Sequence, residues 1–265
     1  MGPSGTQVRR IRRATRTLAL GGLLLVSLTA CSSDEMPTFA MPDRDVTDQA
    51  PRVLSLWQGS WIAAFAVGAV VWGLIIWTVI FHRRRRNSHE LPPQTRYNLP
   101  IEVFYTAVPL LMIAVFFYFT ARDEDRILRT SSNPDHNITI TGVQWSWQFT
   151  YASDGDKNTT VTGTPGKPPT LYLPKGESVQ FKLQSDDVIH SFWVPAFLFK
   201  MDVIPGRINT FEITPTKLGT YNGRCAELCG QDHARMLFNV KIVEPSAYDT
   251  YVQRLQTRLA EGSAQ

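Results

Sequence analysis

Residues 225–236 read Cys-Ala-Glu-Leu-Cys-Gly-Gln-Asp-His-Ala-Arg-Met, which places two thiols, an imidazole and a thioether in one short segment. A second imidazole, His190, stands upstream in His-Ser-Phe-Trp. Sulfur ligands favour copper, imidazole suits it as well, and a Met soon after a Cys and a His is typical of a weak axial copper ligand. Two Cys four residues apart allow both sulfurs to bridge a pair of metal ions, with one His for each ion. The segment therefore predicts a binuclear copper centre.

Other uses of these residues are less consistent with the pattern. Two Cys and two His can hold a structural zinc ion, and Cys225 and Cys229 can form a disulfide in an oxidising exterior. Neither alternative uses Met236, and the thiolate pairs of zinc sites usually lie closer together in sequence. A single Cys would instead have indicated mononuclear blue copper. The spacing favours two copper ions.

The basic character of the chain comes from its first thirty residues. The formal net charge is +4, which alone would point towards nucleic acid. An apolar run from 18 to 30 follows five arginines, a pattern typical of a secretory signal peptide, predicted over 1–30. Without those arginines 22 basic residues face 23 acidic ones, a net charge of −1, so no nucleic-acid partner is predicted. The end, Leu28-Thr29-Ala30-Cys31, resembles a bacterial lipobox. It predicts lipid on Cys31, the alternative being an ordinary buried thiol.

Two long apolar segments follow a short exported segment predicted over 31–52. One runs without a charge from Val53 to Phe81, and the other from Val103 to Ala121. Because a bilayer core about 30 Å thick needs about 20 helical residues, both can span it. The loop near 82–101 carries five arginines against Glu90, so the positive-inside rule places that loop in the cytoplasm. We expect a membrane hairpin over 53–121 in the cell membrane, in contact with lipid and with the C-terminal domain outside.

From about Asp135 the chain has the pattern of an all-β domain, which we place at 122–245. Aromatic residues recur at every second position from Val143 to Tyr151, while turn residues such as Pro205-Gly206 punctuate later runs. The length and short strands predict a Greek-key sandwich followed by a C-terminal helix and tail over 246–265. The segment 152–168 is predicted as a loop. Further strands are predicted at 169–173, 177–185, 208–214, 219–224 and 236–243.

Together these features make the chain similar to subunit II of the haem-copper cytochrome c oxidases, in a lipoprotein form that resembles actinobacterial chains. Members of that family have a two-helix membrane hairpin and an exported cupredoxin domain with a copper A centre. The similarity extends from about residue 53 to 245. Its most specific motifs are Gln144-Trp-Ser-Trp147, His190, Met201-Asp-Val-Ile-Pro-Gly-Arg207 and Cys225-x-Glu-x-Cys-x-x-x-His-x-x-Met236.

The resemblance implies a ligand role for each donor in the motif. The thiolates of Cys225 and Cys229 bridge both copper ions, and His190 and His233 each bind one ion. Met236 is the weak axial ligand, and the backbone carbonyl of Glu227 completes the set. The resemblance also implies that the Glu227 carboxylate binds a magnesium or manganese ion at the boundary with the catalytic subunit, a role that suits an oxygen ligand.

The resemblance implies roles in electron or proton transfer for four further residues. Trp145 matches the exposed ring through which electrons enter, although its period-two spacing alone groups it with core residues. Asp186 and Asp187 can present negative charge to a basic cytochrome c, or simply form a solvated loop. Glu102 matches a carboxylate at the mouth of a proton channel. Without the resemblance, the same carboxylate would merely favour the positive end of a helix.

The resemblance implies the electron-accepting subunit of a proton-pumping cytochrome c oxidase. Its copper pair would take electrons from cytochrome c, or from a cytochrome bc complex, and pass them to haem in subunit I for reduction of oxygen to water. Subunit I and the other oxidase subunits are the expected partners. The alternative is a membrane-tethered copper chaperone or storage module, which needs more open ligation. The quinol oxidase relatives lack the copper ligands, and nitrous oxide reductase needs a large catalytic domain for which this chain has no room.

Overall fold

The computed structural model describes residues 38–42, 46–83, 94–152 and 159–262, with side chains up to residue 258. The predicted signal peptide, Cys31 and most of the arginine-rich loop lie outside these residues. The described residues from Ala40 onward belong to one compact unit. This unit contains a helical hairpin, a β-sandwich and a final helix.

Two long helices form the hairpin, α1 at Ala50–Phe81 and α2 at Leu99–Ile127. Both are apolar and long enough to cross a membrane, which agrees with the two predicted spans. α2 begins before the predicted span because Asn98 caps it: its side chain accepts a hydrogen bond from the Ile101 N–H, while Glu102 accepts one from the Asn98 N–H at 2.9 Å. This reciprocal arrangement satisfies two free N–H groups of the first turn. α2 also continues past Ala121 through a charged turn.

The described β domain consists of two five-stranded sheets. The first has the order β3-β2-β1-β5-β8 and the second the order β4-β10-β9-β6-β7, so neighbours in a sheet are often distant in sequence, as in a Greek-key sandwich. Most pairs are antiparallel, but β1 with β5 and β4 with β10 are parallel. The strands are β1 His136–Val143, β2 Ser146–Tyr151, β3 Thr159–Thr162, β4 Thr170–Pro174, β5 Val179–Ser185, β6 His190–Val194, β7 Phe199–Val203, β8 Asn209–Ile213, β9 Gly219–Cys225 and β10 Leu237–Val243.

The aromatic run that the period-two pattern predicts as one strand is in fact a hairpin. β1 ends at Val143, which pairs with Ser146 across a turn formed by Gln144 and Trp145. The turn removes Trp145 from the alternation, so this side chain is only half-buried, while Trp147 two residues later is fully buried. Trp145 therefore packs against the edge of the core and is not fully buried within it. The predicted loop 152–168 likewise contains β3, which pairs with β2 at the sheet edge.

Aromatic side chains fill the space between the sheets. Phe192 of β6 stacks on Phe238 of β10 with ring centroids 4.7 Å apart, and Trp147 meets Phe238 edge to face at 5.4 Å. The final helix, α3 at Pro245–Gly262, covers one part of this core. Its Tyr251 stacks on Tyr172 of β4 at 3.8 Å. This dense packing gives the ligand-bearing strands a rigid base.

Candidate metal centre

Strand pairing brings the predicted ligands to one end of the second sheet. His190 is the first residue of β6, and Cys225 is the last residue of β9. These strands are antiparallel neighbours with Phe192 opposite Cys225, so His190 and Cys225 lie close together. The chain then loops through Cys229 and His233 and returns at Met236, immediately before β10.

The six predicted donor groups converge within this loop. The sulfurs of Cys225 and Cys229 are 3.8 Å apart, too far for a disulfide bond, and both thiols are free. The Nδ1 atom of His190 lies 3.9 Å from the Cys225 sulfur, and Nδ1 of His233 lies 3.6 Å from the Cys229 sulfur. The other two donors approach one sulfur each: Met236 Sδ is 3.7 Å from Cys229 Sγ, and the Glu227 carbonyl oxygen is 3.2 Å from Cys225 Sγ.

The donor set fits a soft metal that also accepts imidazole, and copper is such a metal. His190, Cys225 and Cys229 have their ligand atoms within 4.8 Å of one another. His190 and Met236 are 0% exposed, and the two Cys residues are 4% and 3% exposed, whereas His233 is only partly buried and lines a surface cavity with Cys225. Each imidazole has a different nearest sulfur: His190 lies beside Cys225, and His233 lies beside Cys229.

Asp187 holds His190 in place from behind. Its Oδ1 lies 2.8 Å from His190 Nε2, and its Oδ2 accepts a hydrogen bond from the Gln144 N–H at 2.6 Å. Burial opposes a charge on either residue, but hydrogen bonds outweigh it. Those with Cys225 and Asp187 raise the pKa of His190, and those from His190, Val188 and Gln144 lower the pKa of Asp187. Gly142 leaves room for the ring, since a Cβ there would lie 2.9 Å from His190 Cδ2. This role of Gly142 is not predictable from the sequence, because it depends on a ring that packs against it from another strand.

Comparison with known proteins identifies the family. The profile described as "Cytochrome C oxidase subunit II, periplasmic domain" matches residues 168–243. The probable cytochrome c oxidase subunit 2 of Streptomyces coelicolor is 48% identical over 295 aligned residues, covering 96% of this chain and 92% of the relative. The chain belongs to the cytochrome c oxidase subunit II family. Cytochrome c oxidase subunit 2 of Mycobacterium tuberculosis (strain H37Rv) is 34% identical, with 95% and 84% covered.

Among solved structures, the chain is similar to the periplasmic domain of subunit II of cytochrome oxidase (CoxB) of Bradyrhizobium japonicum. The identity is 30%, the TM-score is 0.44, and the alignment covers 49% of this chain and 99% of that domain. The family resemblance and the cupredoxin-like fold predicted from the sequence are confirmed. The chain is a subunit II with two apolar helices that can cross a membrane, candidate copper ligands and a C-terminal helix.

The two thiols of this subunit II differ in acidity. Burial opposes ionisation of Cys225, but hydrogen bonds from His190 and from the backbone around Glu227 and Ser191 lower its pKa to about 6. Burial and the neighbouring Cys225 charge raise the pKa of Cys229 to about 12. Two neighbouring thiolates repel each other, so a bound cation would favour ionisation of both Cys225 and Cys229.

A turn from the first sheet closes over the loop that carries the candidate copper ligands, residues 225–236, here called the copper loop. The side chains of Gln144 and Trp145 both donate hydrogen bonds to the Cys229 carbonyl, at 2.7 and 3.1 Å. Gly230 permits this close approach, because a Cβ there would lie 2.9 Å from Trp145 Nε1 and its φ is +121°. The sequence analysis includes Gln144 in a family motif but assigns it no role, and it does not include Gly230, because both roles depend on contacts between distant segments.

The remaining predicted residues lie around or away from the centre. The side chain of Asp186 is exposed, whereas the carboxylate of Asp187 is occupied by His190 and by backbone N–H groups. The backbone carbonyl of Glu227 points at Cys225, while the residue as a whole is exposed. Glu102 is distant in sequence from the candidate ligands. It lies in the first turn of α2, where it takes part in the helix cap.

Proposed function

We propose that this chain is the electron-accepting subunit of a proton-pumping cytochrome c oxidase. It receives electrons from cytochrome c, or from a cytochrome bc complex, at a binuclear copper A centre and passes them to haem in subunit I, where oxygen is reduced to water. The convergence of two thiols, an imidazole, a thioether and a carbonyl of one loop with the buried imidazole of His190 in β6 is the observation that carries this proposal. Family membership makes oxidase chemistry the natural use of such a loop.

Bound copper would supply one-electron oxidation and reduction, and the protein supplies a rigid, dry setting for it. Cys225, Cys229, His190 and His233 would hold the copper ions, with Met236 and the Glu227 carbonyl as further, weaker ligands. Strands β6 and β9 fix His190 and Cys225, and Asp187 fixes the His190 ring. A site whose ligands are held this firmly moves little when its charge changes, which favours fast electron transfer.

Electrons arrive through Trp145 in this proposal. The ring is half-buried at the surface, and its Nε1–H donates directly to the carbonyl of Cys229, a bridging ligand. This contact provides a short connection from the surface to the centre. Asp186 supplies negative charge beside it for a basic donor, and the neighbouring Asp187 adds to the local field.

The other proposed roles concern ions, membrane and partners. The exposed Glu227 carboxylate is available for a magnesium or manganese ion shared with subunit I. Glu102 stands at the mouth of a proton channel into subunit I. Residues 1–30 act as a signal peptide, and Cys31 carries lipid. The sandwich over 122–245 faces the extracytoplasmic side, with the loop near 82–101 in the cytoplasm.

Copper quantitation with electron paramagnetic resonance on the purified full-length chain tests the proposal. We expect two copper ions per chain and an unpaired spin shared by both nuclei. A single copper ion, or a spin confined to one nucleus, would contradict it. A Cys229→Ser variant, which removes one bridging sulfur, should lose the shared signal. The burial of His190, Cys225, Cys229 and Met236 argues against a chaperone or store, because such proteins release copper through open ligation.

A further inference from the structure

One residue of the sandwich contacts both ends of the membrane hairpin. Glu212 lies in β8, an edge strand of the first sheet. Its carboxylate oxygen Oε2 accepts hydrogen bonds from the N–H and the hydroxyl of Ser131, at 2.7 and 3.1 Å, just after α2 ends. Its backbone carbonyl accepts a hydrogen bond at 2.5 Å from the side-chain amide of Gln49, the residue that precedes α1. The same amide also donates to the Ile127 carbonyl, at the end of α2, at 3.2 Å.

Neighbouring contacts extend this junction on the side of α1. The Asp48 N–H donates to the Thr214 carbonyl at 3.0 Å, and the Thr214 N–H donates to the Asp48 carboxylate at 2.9 Å. The Val46 carbonyl accepts a hydrogen bond from the Thr216 N–H at 2.9 Å. The chain that leads into α1 therefore runs along the segment that follows β8 and covers part of the sheet edge.

The two helices are themselves joined directly below the junction. Asp123 of α2 is 4% exposed, and its carboxylate lies 2.9 Å from Arg122 and 3.6 Å from Arg52 of α1. Because a buried carboxylate left without its partners is costly, this pairing holds the outer ends of α1 and α2 together. A movement of one helix end is thus passed to the other.

We infer that Glu212, Gln49 and Ser131 form a latch that sets the orientation of the sandwich over the hairpin. The latch makes Glu212 a positioning residue for electron transfer: it fixes the distance from the copper loop to redox groups held by a partner in the membrane. The inference rests on the proposed function. The hydrogen bonds to the Glu212 carboxylate are charge-assisted, which makes them about twice as strong as neutral ones. The segment that precedes α1 and the segment that follows α2 both form hydrogen bonds with Glu212.

Substitutions of Glu212 in the assembled oxidase test the latch. Glu212→Ala removes the acceptor for Ser131, whereas Glu212→Gln keeps an acceptor oxygen at the same place. Asp249→Ala, in α3, is the matched control for loss of an acid. The readouts are copper content, the rate of electron uptake from reduced cytochrome c, the rate of the subsequent haem reduction, and hydrogen exchange at the Ser131 amide.

For Glu212→Ala we expect normal copper content and normal electron uptake, haem reduction slowed several-fold, and amide exchange at Ser131 faster by about tenfold. Glu212→Gln should restore most of both rates. Unchanged haem reduction in Glu212→Ala, or an equal defect in the Ala and Gln variants, would overturn the latch. If Glu212→Ala fails to assemble, Ser131→Ala and Gln49→Ala decide the matter by the same readouts. A wild-type chain without paired copper would instead refute the proposed function.

Discussion

The two ring nitrogens of His190 contact different residues: Nε2 lies 2.8 Å from Asp187 Oδ1, and Nδ1 lies 3.9 Å from the Cys225 sulfur. When the carboxylate accepts a hydrogen bond from Nε2–H, a neutral His190 ring would present the Nδ1 lone pair to a metal on the side of the sulfurs. Such a carboxylate behind a His ligand fixes the tautomer and the ring orientation, and it raises the basicity of the ligand. Asp187 is thus part of the metal site although it does not face the metal.

Asp187→Ala should lower copper affinity about 10–100-fold, the usual cost of losing the partner of a metal-binding His. Asp187→Asn retains an oxygen that can accept from Nε2–H and should lose less. Competition with a copper chelator, followed by copper quantitation, measures the effect. Asp186→Asn is the control, since the exposed Asp186 side chain lies next in sequence but does not hold the ring. Equal copper retention in wild type and Asp187→Ala would show that the contact is dispensable.

Gly230→Ala should impair electron uptake while copper stays bound. The added Cβ would lie 2.9 Å from Trp145 Nε1, so the ring must move and lose its hydrogen bond to Cys229. Gly176→Ala is a matched control, because Gly176 also has a positive φ, +80°, but open space around it. Both substitutions should lower the free energy of unfolding by about 1–3 kcal/mol through backbone strain. Only Gly230→Ala should slow stopped-flow reduction by cytochrome c, and equal rates in the two variants would count against Trp145.

The ligand set was predictable because its chemistry is local in sequence. Cys225, Cys229, His233 and Met236 lie on one loop, so their spacing alone indicates a shared metal. Strands with turn residues at both ends, such as β5, were also predicted within a few residues. The pattern does not predict β6 and β7. Four of the five residues of β6 are buried, so this strand lacks the alternation of polar and apolar residues that indicates a half-exposed strand.

What the sequence could not supply depends on contacts between distant segments. Trp145 continues the period-two pattern and nevertheless lies in a turn, because pairing of Val143 with Ser146 closes a hairpin that alternation cannot reveal. Gly142 and Gly230 matter only through the rings packed against them. Periodicity reports which face of a strand is apolar, but it does not report which residues meet across the sandwich.

Asp186→Asn should slow electron uptake from a basic cytochrome c at low ionic strength and have little effect at high ionic strength. Exposed charges act through long-range attraction, which salt screens within about 10 Å at 0.1 M. The measurement is the second-order rate of reduction by cytochrome c across a series of salt concentrations. Copper content should equal that of wild type, because Asp186 is not in the hydrogen-bond network of His190. A rate indifferent to salt in both proteins would exclude electrostatic docking at this site.

Glu102→Gln separates a structural role of this residue from a role in proton uptake. In the structure Glu102 accepts a hydrogen bond from the Asn98 N–H at 2.9 Å and so closes the cap of α2. A Gln side chain can accept the same hydrogen bond through its amide oxygen, so the helix and the assembly of the oxidase should be preserved. The amide cannot carry a proton between solvent and a channel. If Glu102 stands at a channel mouth, oxygen consumption by Glu102→Gln oxidase should fall several-fold with normal copper and haem content. Turnover equal to wild type would leave Glu102 with its capping role alone, and a matching loss of assembly in Asn98→Ala would show how much that cap contributes.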